Sequence, residues 1–285
     1  MNAHWFSRII AGILLAASAN VFASQSVTDP VTQFYAKRSG VSLRAVVYRP
    51  EGWKPRDQRP AVVIFHGLGW TKGQPEWGER YAKHYASKGM VSICAQYRLA
   101  KGSITPVHSI DDARDAIRWV RANHAALGVD PKRIVAHGLS TGGHVALEAA
   151  MFQGNSSVNP IPNALVLYSP PVDLAGHETF QALLGEKTPA SSVSPMAKVT
   201  KGLPPTLILQ GDSDTVAPFA GAKLFCEKMT EAGNRCELNR YMYVGHLFTP
   251  KGTPDDGMPK PDPRVEAAAL VKVDAFLASL GYIDK

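Results

Sequence analysis

Residues 134–150, IVAHGLSTGGHVALEAA, constrain the fold more than any other stretch. Ile134-Val135-Ala136 is an apolar run short enough for a buried strand. Gly138-Leu139-Ser140-Thr141-Gly142 follows, with a further glycine at 143 and then a helical sequence. A G-x-S-x-G turn between a strand and a helix is the context of a nucleophile elbow. Glycines on either side of the serine let the strand and the helix approach closely. The Ser140 hydroxyl is then presented at the carboxyl end of a sheet. The bland alternative is a glycine-rich turn with an incidental serine, since a five-residue pattern also arises by chance.

The rest of the chain favours the first reading. Residues 61–65 form a continuous apolar run, as expected of a central parallel strand. Further strands are expected over 91–97, 164–168, 206–210 and 236–244. Helices are expected over 77–88, 111–127, 219–232 and 264–280, with a short one over 179–184. Asp111 and Asp112 suit a helix N-terminus. An alternating strand over 41–48 ends at Arg49-Pro50. The polar segment 24–39 reads as an arm, 173–201 is the least regular stretch, and 251–263 is a Pro/Gly/Asp-rich loop. Strands alternating with helices from residue 61 onward predict an α/β fold: a mostly parallel central sheet with helices on both faces. No repeat or linker divides it, so residues 24–285 are expected to form one domain.

Residues 1–23 read as a signal peptide. Arg8 is the only charged side chain there, an apolar run spans 9–17, and Val21-Phe22-Ala23 offers a cleavage site, with Ala17-Ser18-Ala19 a second. The run is short for a membrane span, and no later stretch is apolar enough for one. An exported chain, periplasmic or secreted, is therefore expected. Loss of Arg8 takes the net charge from +7 to +6. No Lys/Arg run or aromatic-interleaved basic stripe points to nucleic acid. The three cysteines suit one disulfide and one thiol. Cys226 and Cys236 are the candidates to pair, across the turn Glu231-Ala232-Gly233-Asn234, and Cys94 lies in an apolar strand. No Cys/His spacing suggests a metal site. Oligomeric state is not encoded in any feature of the sequence.

Ser140 needs a base. In such sheets the partners follow in the order serine, acid, histidine, each on a loop after a later strand. The loop after 206–210 carries Asp212 and Asp214, and the loop after 236–244 carries His246. Each falls at the carboxyl end of its strand, on the edge that bears Ser140. His246 suits a general base, with an acid fixing its tautomer. Asp212, directly after the strand, suits a turn cap; Asp214 is better placed to reach the histidine. An oxyanion formed by serine attack needs N–H donors fixed in advance. Thr141, directly after the serine, offers one, and the His66-Gly67-Leu68-Gly69 loop offers others through Leu68 and Gly69. His66 is expected to orient that loop, His137 and His144 to pack beside the elbow, and His108 and His177 to lie at the surface. Trp70 has two readings, a wall of the acyl pocket or ordinary packing.

These motifs together carry a resemblance to the α/β-hydrolase esterases. His66-Gly67-Leu68-Gly69-Trp70 resembles their HGGGW oxyanion motif, and Tyr97-Arg98-Leu99 their YRL segment. Asp112 with Ile117-Arg118-Trp119-Val120 is similar to the helix before the elbow. Gly138 to Gly143 resembles GxSxGG, while Gly211 to Asp214 and Gly245-His246-Leu247-Phe248 resemble the two triad loops. The Cys226 and Cys236 pair resembles that of some secreted members. The resemblance spans residues 40–282 and is nearest to compact, exported carboxylesterases of the acetyl-esterase and feruloyl/xylan-esterase-like group. It implies an α/β-hydrolase fold with little or no cap and hydrolysis of carboxylic esters without metal or cofactor. The implied substrates are small-molecule or carbohydrate esters of short or aromatic acyl groups, acetyl or feruloyl, including those on plant polysaccharide. Leu68 in place of the middle glycine and Thr141 in place of alanine depart from the family pattern and bear on acyl specificity.

Two other classes compete. A serine peptidase of the prolyl-oligopeptidase type shares the fold, but such enzymes gate access with a large extra domain, and fewer than about 40 residues precede the first strand expected here. A non-catalytic binding module on a hydrolase scaffold commonly lacks a triad residue or an elbow glycine, and none is missing. Lipase action is disfavoured by a short, weakly amphipathic segment at 173–201.

Overall fold

The computed structural model describes residues 29–253 and 258–284. The expected signal peptide lies outside the described residues. The described chain forms an eight-stranded sheet in the order β1-β2-β4-β3-β5-β6-β7-β8. The strands are β1 (Val31–Arg38), β2 (Val41–Tyr48), β3 (Arg59–Phe65), β4 (Val91–Ala95), β5 (Val129–Leu139), β6 (Ala164–Tyr168), β7 (Thr206–Gly211) and β8 (Cys236–Tyr241). β2 runs antiparallel to both β1 and β4. Every other pairing is parallel. The helices are α1 (Glu79–Ser87), α2 (Pro106–Ala122), α3 (His124–Leu127), α4 (Thr141–Ala150), α5 (Glu178–Leu184), α6 (Phe219–Glu231) and α7 (Pro263–Ser279).

The apolar run in β3 is continuous because both faces of the sheet are covered. Ala61, Val63 and Phe65 face a core shared with Ala113 and Ile117 of α2, Val145 of α4 and Phe225 of α6. Val62 and Ile64 face the opposite core, with Tyr81 and Tyr85 of α1 and Phe276 of α7. Alternate residues of one strand thus serve two apolar layers, as parallel sheets demand.

The sheet begins earlier than expected. Residues 31–38, within the segment read as an arm, form an edge strand on β2. The reversal uses Ser39 at φ 46° and Gly40 at φ 79°, consecutive positive φ values of the kind that match hairpin twist. The strand is mostly solvent-facing, with Phe34 exposed, so it carries no hydrophobic alternation to betray it.

α2 also starts earlier, at Pro106. Thr105 and His108 form a reciprocal capping box there, so His108 is a cap. Asp112 is not a terminal charge. It is fully buried and holds the Arg98 guanidinium through both carboxylate oxygens, at 2.8 Å on the nearer contacts. β5 begins at Val129, within the segment expected to break the chain, because Val129 pairs with Arg59.

Cys226 of α6 and Cys236 of β8 form a disulfide with a Cα–Cα distance of 5.4 Å. A bridge closing so short a loop contributes about 2–3 kcal/mol. Cys94 is a buried thiol whose pKa is pushed up by desolvation. Among the described residues no helix is long and apolar enough to cross a membrane. No group of three or more His, Cys, Asp or Glu among them could hold a metal ion.

Candidate active site

Ser140 sits between β5 and α4 at φ 51°, ψ −120°, backbone that side chains rarely adopt and that persists only where the surroundings enforce it. They do so here through contacts that only glycine permits. A Cβ on Gly142 would lie 2.1 Å from the Phe65 carbonyl oxygen, and one on Gly138 would lie 2.4 Å from Gly143 Cα. The turn is held from the neighbouring strand as well, where the Ser140 N–H donates to the Tyr168 carbonyl at 2.8 Å.

The parallel register of β3 and β5 pairs Phe65 with Gly138, so the loop after β3 emerges beside the elbow. A Cβ on Gly67 would lie 3.0 Å from Ser140 Cβ. Leu68, Gly69 and Trp70 follow at φ 89°, 69° and 60°. His66 braces this loop. Its ring stacks on Tyr97 at a centroid distance of 4.3 Å, and Tyr97 Oη donates to its carbonyl at 2.7 Å. His66 Nδ1 lies 2.9 Å from the Gly67 carbonyl, which requires a proton on Nδ1. Burial lowers its pKa to about 4, so the ring is a neutral prop. Thr141 is the first residue of α4, so its N–H belongs to the terminal set without an intrahelical acceptor.

β7 and β8 bring the other two groups to the same edge. His246 Nε2 lies 2.7 Å from Ser140 Oγ. His246 Nδ1 lies 3.0 Å from Asp214 Oδ2 and 3.1 Å from Oδ1. All three side chains are buried. A carboxylate can only accept, so Nδ1 carries the proton and Nε2 presents a lone pair to the serine hydroxyl. The Asp214 carboxylate is itself gripped. Oδ1 accepts from Val216 and Ala217 N–H at 2.9 and 2.8 Å, and Oδ2 accepts from Gln210 Nε2 at 2.8 Å. Asp212 faces elsewhere. It caps the β8 turn at the Tyr243 N–H, 2.9 Å away, and pairs with Arg240 at 3.2 Å.

The BD-FAE family model matches residues 47–229. The chain belongs to the BD-FAE family. It is 28% identical to carboxylesterase NlhH of Mycobacterium tuberculosis over 223 residues, 69% of either chain. Among solved structures it resembles esterase Est2 of Thermogutta terrifontis with propionate bound, at TM-score 0.80 and 34% identity, covering 90% of this chain and 96% of that one. The butyrate-bound structure of the same esterase is 33% identical at TM-score 0.78, with the same coverage. This BD-FAE family member is an α/β-hydrolase that hydrolyses carboxylic esters.

One expected site residue of this BD-FAE protein lies apart from the others. Trp70 is packed into the core: Nε1–H donates to His144 Nδ1 at 3.1 Å, and the indole contacts Phe180 at 4.6 Å between centroids. His144 in turn donates from Nε2 to the Val193 carbonyl at 2.7 Å, and burial lowers its pKa to about 4. His137 is likewise neutral, lowered to about 3 by burial, and bonds Tyr85 Oη at 2.8 Å. His177 accepts the Phe180 N–H as the cap of α5. A cavity of about 300 Å³ flanks the elbow instead, walled by Leu68, Trp77, Leu139, Leu247 and Met258 and edged by Arg80.

Two residues at the site lie outside the sequence motifs. Gln210 is a buried amide directly after the apolar run Leu207-Ile208-Leu209, four residues before Asp214, a spacing visible in the sequence. Ser169 follows β6, is buried at φ 47°, and accepts the Leu247 N–H at 3.1 Å. Nothing in the sequence marks it.

Proposed function

We propose that Ser140, His246 and Asp214 carry out the ester hydrolysis through an acyl-enzyme. The observation that carries this reading is the 2.7 Å contact between Ser140 Oγ and His246 Nε2, with Asp214 on the far side of the imidazole. His246 Nε2 takes the hydroxyl proton as Ser140 Oγ bonds to the ester carbonyl carbon. The carbonyl π electrons move to oxygen, and that oxyanion is met by N–H groups of Thr141 and of Leu68 and Gly69. The oxyanion re-forms the carbonyl, the C–O bond to the alcohol breaks, and His246 gives the proton to the departing alkoxide. A water, deprotonated by His246, then repeats the sequence on the acyl-enzyme and releases the acid and Ser140. Asp214 stays ionised throughout and stabilises the imidazolium.

For the substrate, the reading is an ester of a short or aromatic acyl group, acetyl or feruloyl, on a small molecule or on plant polysaccharide. The small apolar cavity at the elbow supports it, since sites of this kind hold small molecules by apolar contact and a few polar groups. Est2, which has been solved with propionate and with butyrate, supports the short-acyl arm. An acyl-length series of p-nitrophenyl esters, run beside acetyl-xylan and methyl ferulate, tests it. The expected result is a kcat/KM that falls steadily beyond butyryl, with turnover of at least one of the two plant esters. A maximum at octanoyl or longer would overturn it.

The same proposal places the mature chain outside the cytoplasm, beginning at Ser24 after signal cleavage. The Cys226–Cys236 bridge supports this, because disulfides persist in oxidising compartments. Mass analysis of the protein from the periplasm or medium is expected to give an N-terminus at Ser24. An intact Met1 terminus retained in the cytoplasm would count against export.

A further inference from the structure

Ser169 occupies a backbone position that suits glycine. Its φ of 47° lies in the left-handed region, its side chain is fully buried, and it is not itself one of the reacting groups. Strain of this kind at a non-glycine residue is retained where the side chain has work that glycine could not do. Among the described residues, the Ser169 hydroxyl has one task. It accepts the N–H of Leu247, the peptide immediately after His246, at 3.1 Å.

That peptide needs holding. Leu247 is at φ 48°, ψ 38° and Phe248 at φ 65°, so the chain leaves His246 through two successive left-handed residues, neither of them glycine. The corner at Ser169 is well placed to pin it. The Ser169 N–H donates to the Leu209 carbonyl at 3.0 Å, tying the corner to β7, and the preceding Tyr168 carbonyl accepts the Ser140 N–H at 2.8 Å. Two adjacent residues at the end of β6 therefore hold the backbone of the nucleophile on one side and the backbone after the base on the other.

We propose that Ser169 is a positioning residue whose hydroxyl sets the Ser140–His246 distance by anchoring the His246–Leu247 peptide. The inference rests on the assignment of Ser140 and His246 as nucleophile and base. Without the hydroxyl, the Leu247 N–H loses its acceptor and the left-handed pair can relax, carrying the imidazole with it. Displacements of about 1 Å in a reacting pair cost rates on the order of 100-fold.

Glycine at this position separates the hydroxyl's role from the fold. Ser169→Gly removes the hydroxyl and relieves the backbone strain; Ser169→Ala removes the hydroxyl and keeps the strain. Both are assayed on p-nitrophenyl acetate with active sites counted by a fluorophosphonate, and their thermal midpoints are measured. The expected result is a kcat per titrated site lowered about 10–100-fold in both variants, with KM within about twofold of the parent. The midpoint of Ser169→Gly is expected at or above that of Ser169→Ala. A Ser169→Gly enzyme with kcat within about twofold of the parent overturns the proposal. So does a loss of activity accounted for wholly by fewer titratable sites. If the glycine variant does not fold, the alanine variant decides by the same kcat and KM criteria. Ser140→Ala is run alongside. If it is inactive while Ser169→Gly is fully active, only the present inference fails; if Ser140→Ala is itself active, the underlying assignment fails.

Discussion

Ser140→Ala is expected to lower kcat by about 10⁴–10⁶ while leaving the protein folded. In the proposed acyl-enzyme route the covalent bond is made by this one oxygen, and what survives its removal is binding and oxyanion stabilisation. Ser140 is buried and its elbow is enforced by glycine contacts on either side, so loss of the hydroxyl alone leaves those contacts intact. A companion pair tests the acid. Asp214→Asn is expected to lower kcat about 10⁴-fold, because an amide can present its NH₂ to Nδ1 and so favour the wrong tautomer. Asp212→Asn is expected to leave kcat near the parent's, since Asp212 faces the Tyr243 N–H and Arg240. Activity profiles on p-nitrophenyl acetate read all three, and a fully active Ser140→Ala protein would falsify the covalent mechanism.

The second large effect is on folding. Gly142→Ala would place a methyl group 2.1 Å from the Phe65 carbonyl oxygen and 2.5 Å from that of His66. Both are backbone atoms at the end of a central strand and cannot swing aside as a side-chain tip can. The strand and the elbow helix must separate, and a cost of about 3 kcal/mol or more is expected, the upper part of the range for overpacked sites. The urea midpoint and the soluble yield report it. Gly221→Ala serves as the contrast. Gly221 lies in the first turn of α6, and its Cβ would meet only Val172 Cγ2, at 3.7 Å. That variant is expected to be unchanged or more stable by about 0.4–1 kcal/mol. Equal stability of the two variants would show that the elbow does not depend on the close approach described.

Much of this architecture is legible in the sequence. The strand at 164–168 is found where its apolar run placed it, and the strands bearing the acid and histidine loops begin where expected. These signals are local: two-sided burial gives runs of Val, Ile and Leu, and loops at strand ends carry Gly and Asp. The edge strand at 31–38 was illegible because a strand facing solvent has no apolar pattern to display. The start of α2 was hidden because its cap uses a histidine, His108, in the role more often filled by Glu or Gln. Trp70 illustrates a different limit. Its two readings differ only in which way three successive left-handed residues turn the chain, and the turn delivers the indole to His144 and Phe180. Ser169 acts across strands that are neighbours only in the finished sheet, so no spacing in the chain encodes it, whereas Gln210 lies only four residues from the Asp214 carboxylate it donates to. Asp214 is preferred over Asp212 on reach, and the three further donors to its carboxylate, from Gln210, Val216 and Ala217, all lie within four residues of it.

The order of strands across the sheet also bears on how activity is acquired during folding. Ser140 and His246 are 106 residues apart in the chain, and His246 and Asp214 are 32 apart. Their meeting depends on parallel pairings of β5 with β6, β6 with β7 and β7 with β8, contacts of the long-range kind that form slowly. No hairpin or single helix contains two of the three groups. On the mechanism proposed above, the nucleophile has no base until the last strand of the sheet has docked, so a chain still being extended is hydrolytically silent. Recovery of esterase activity on refolding is in this sense a clock for closure of the sheet's far edge.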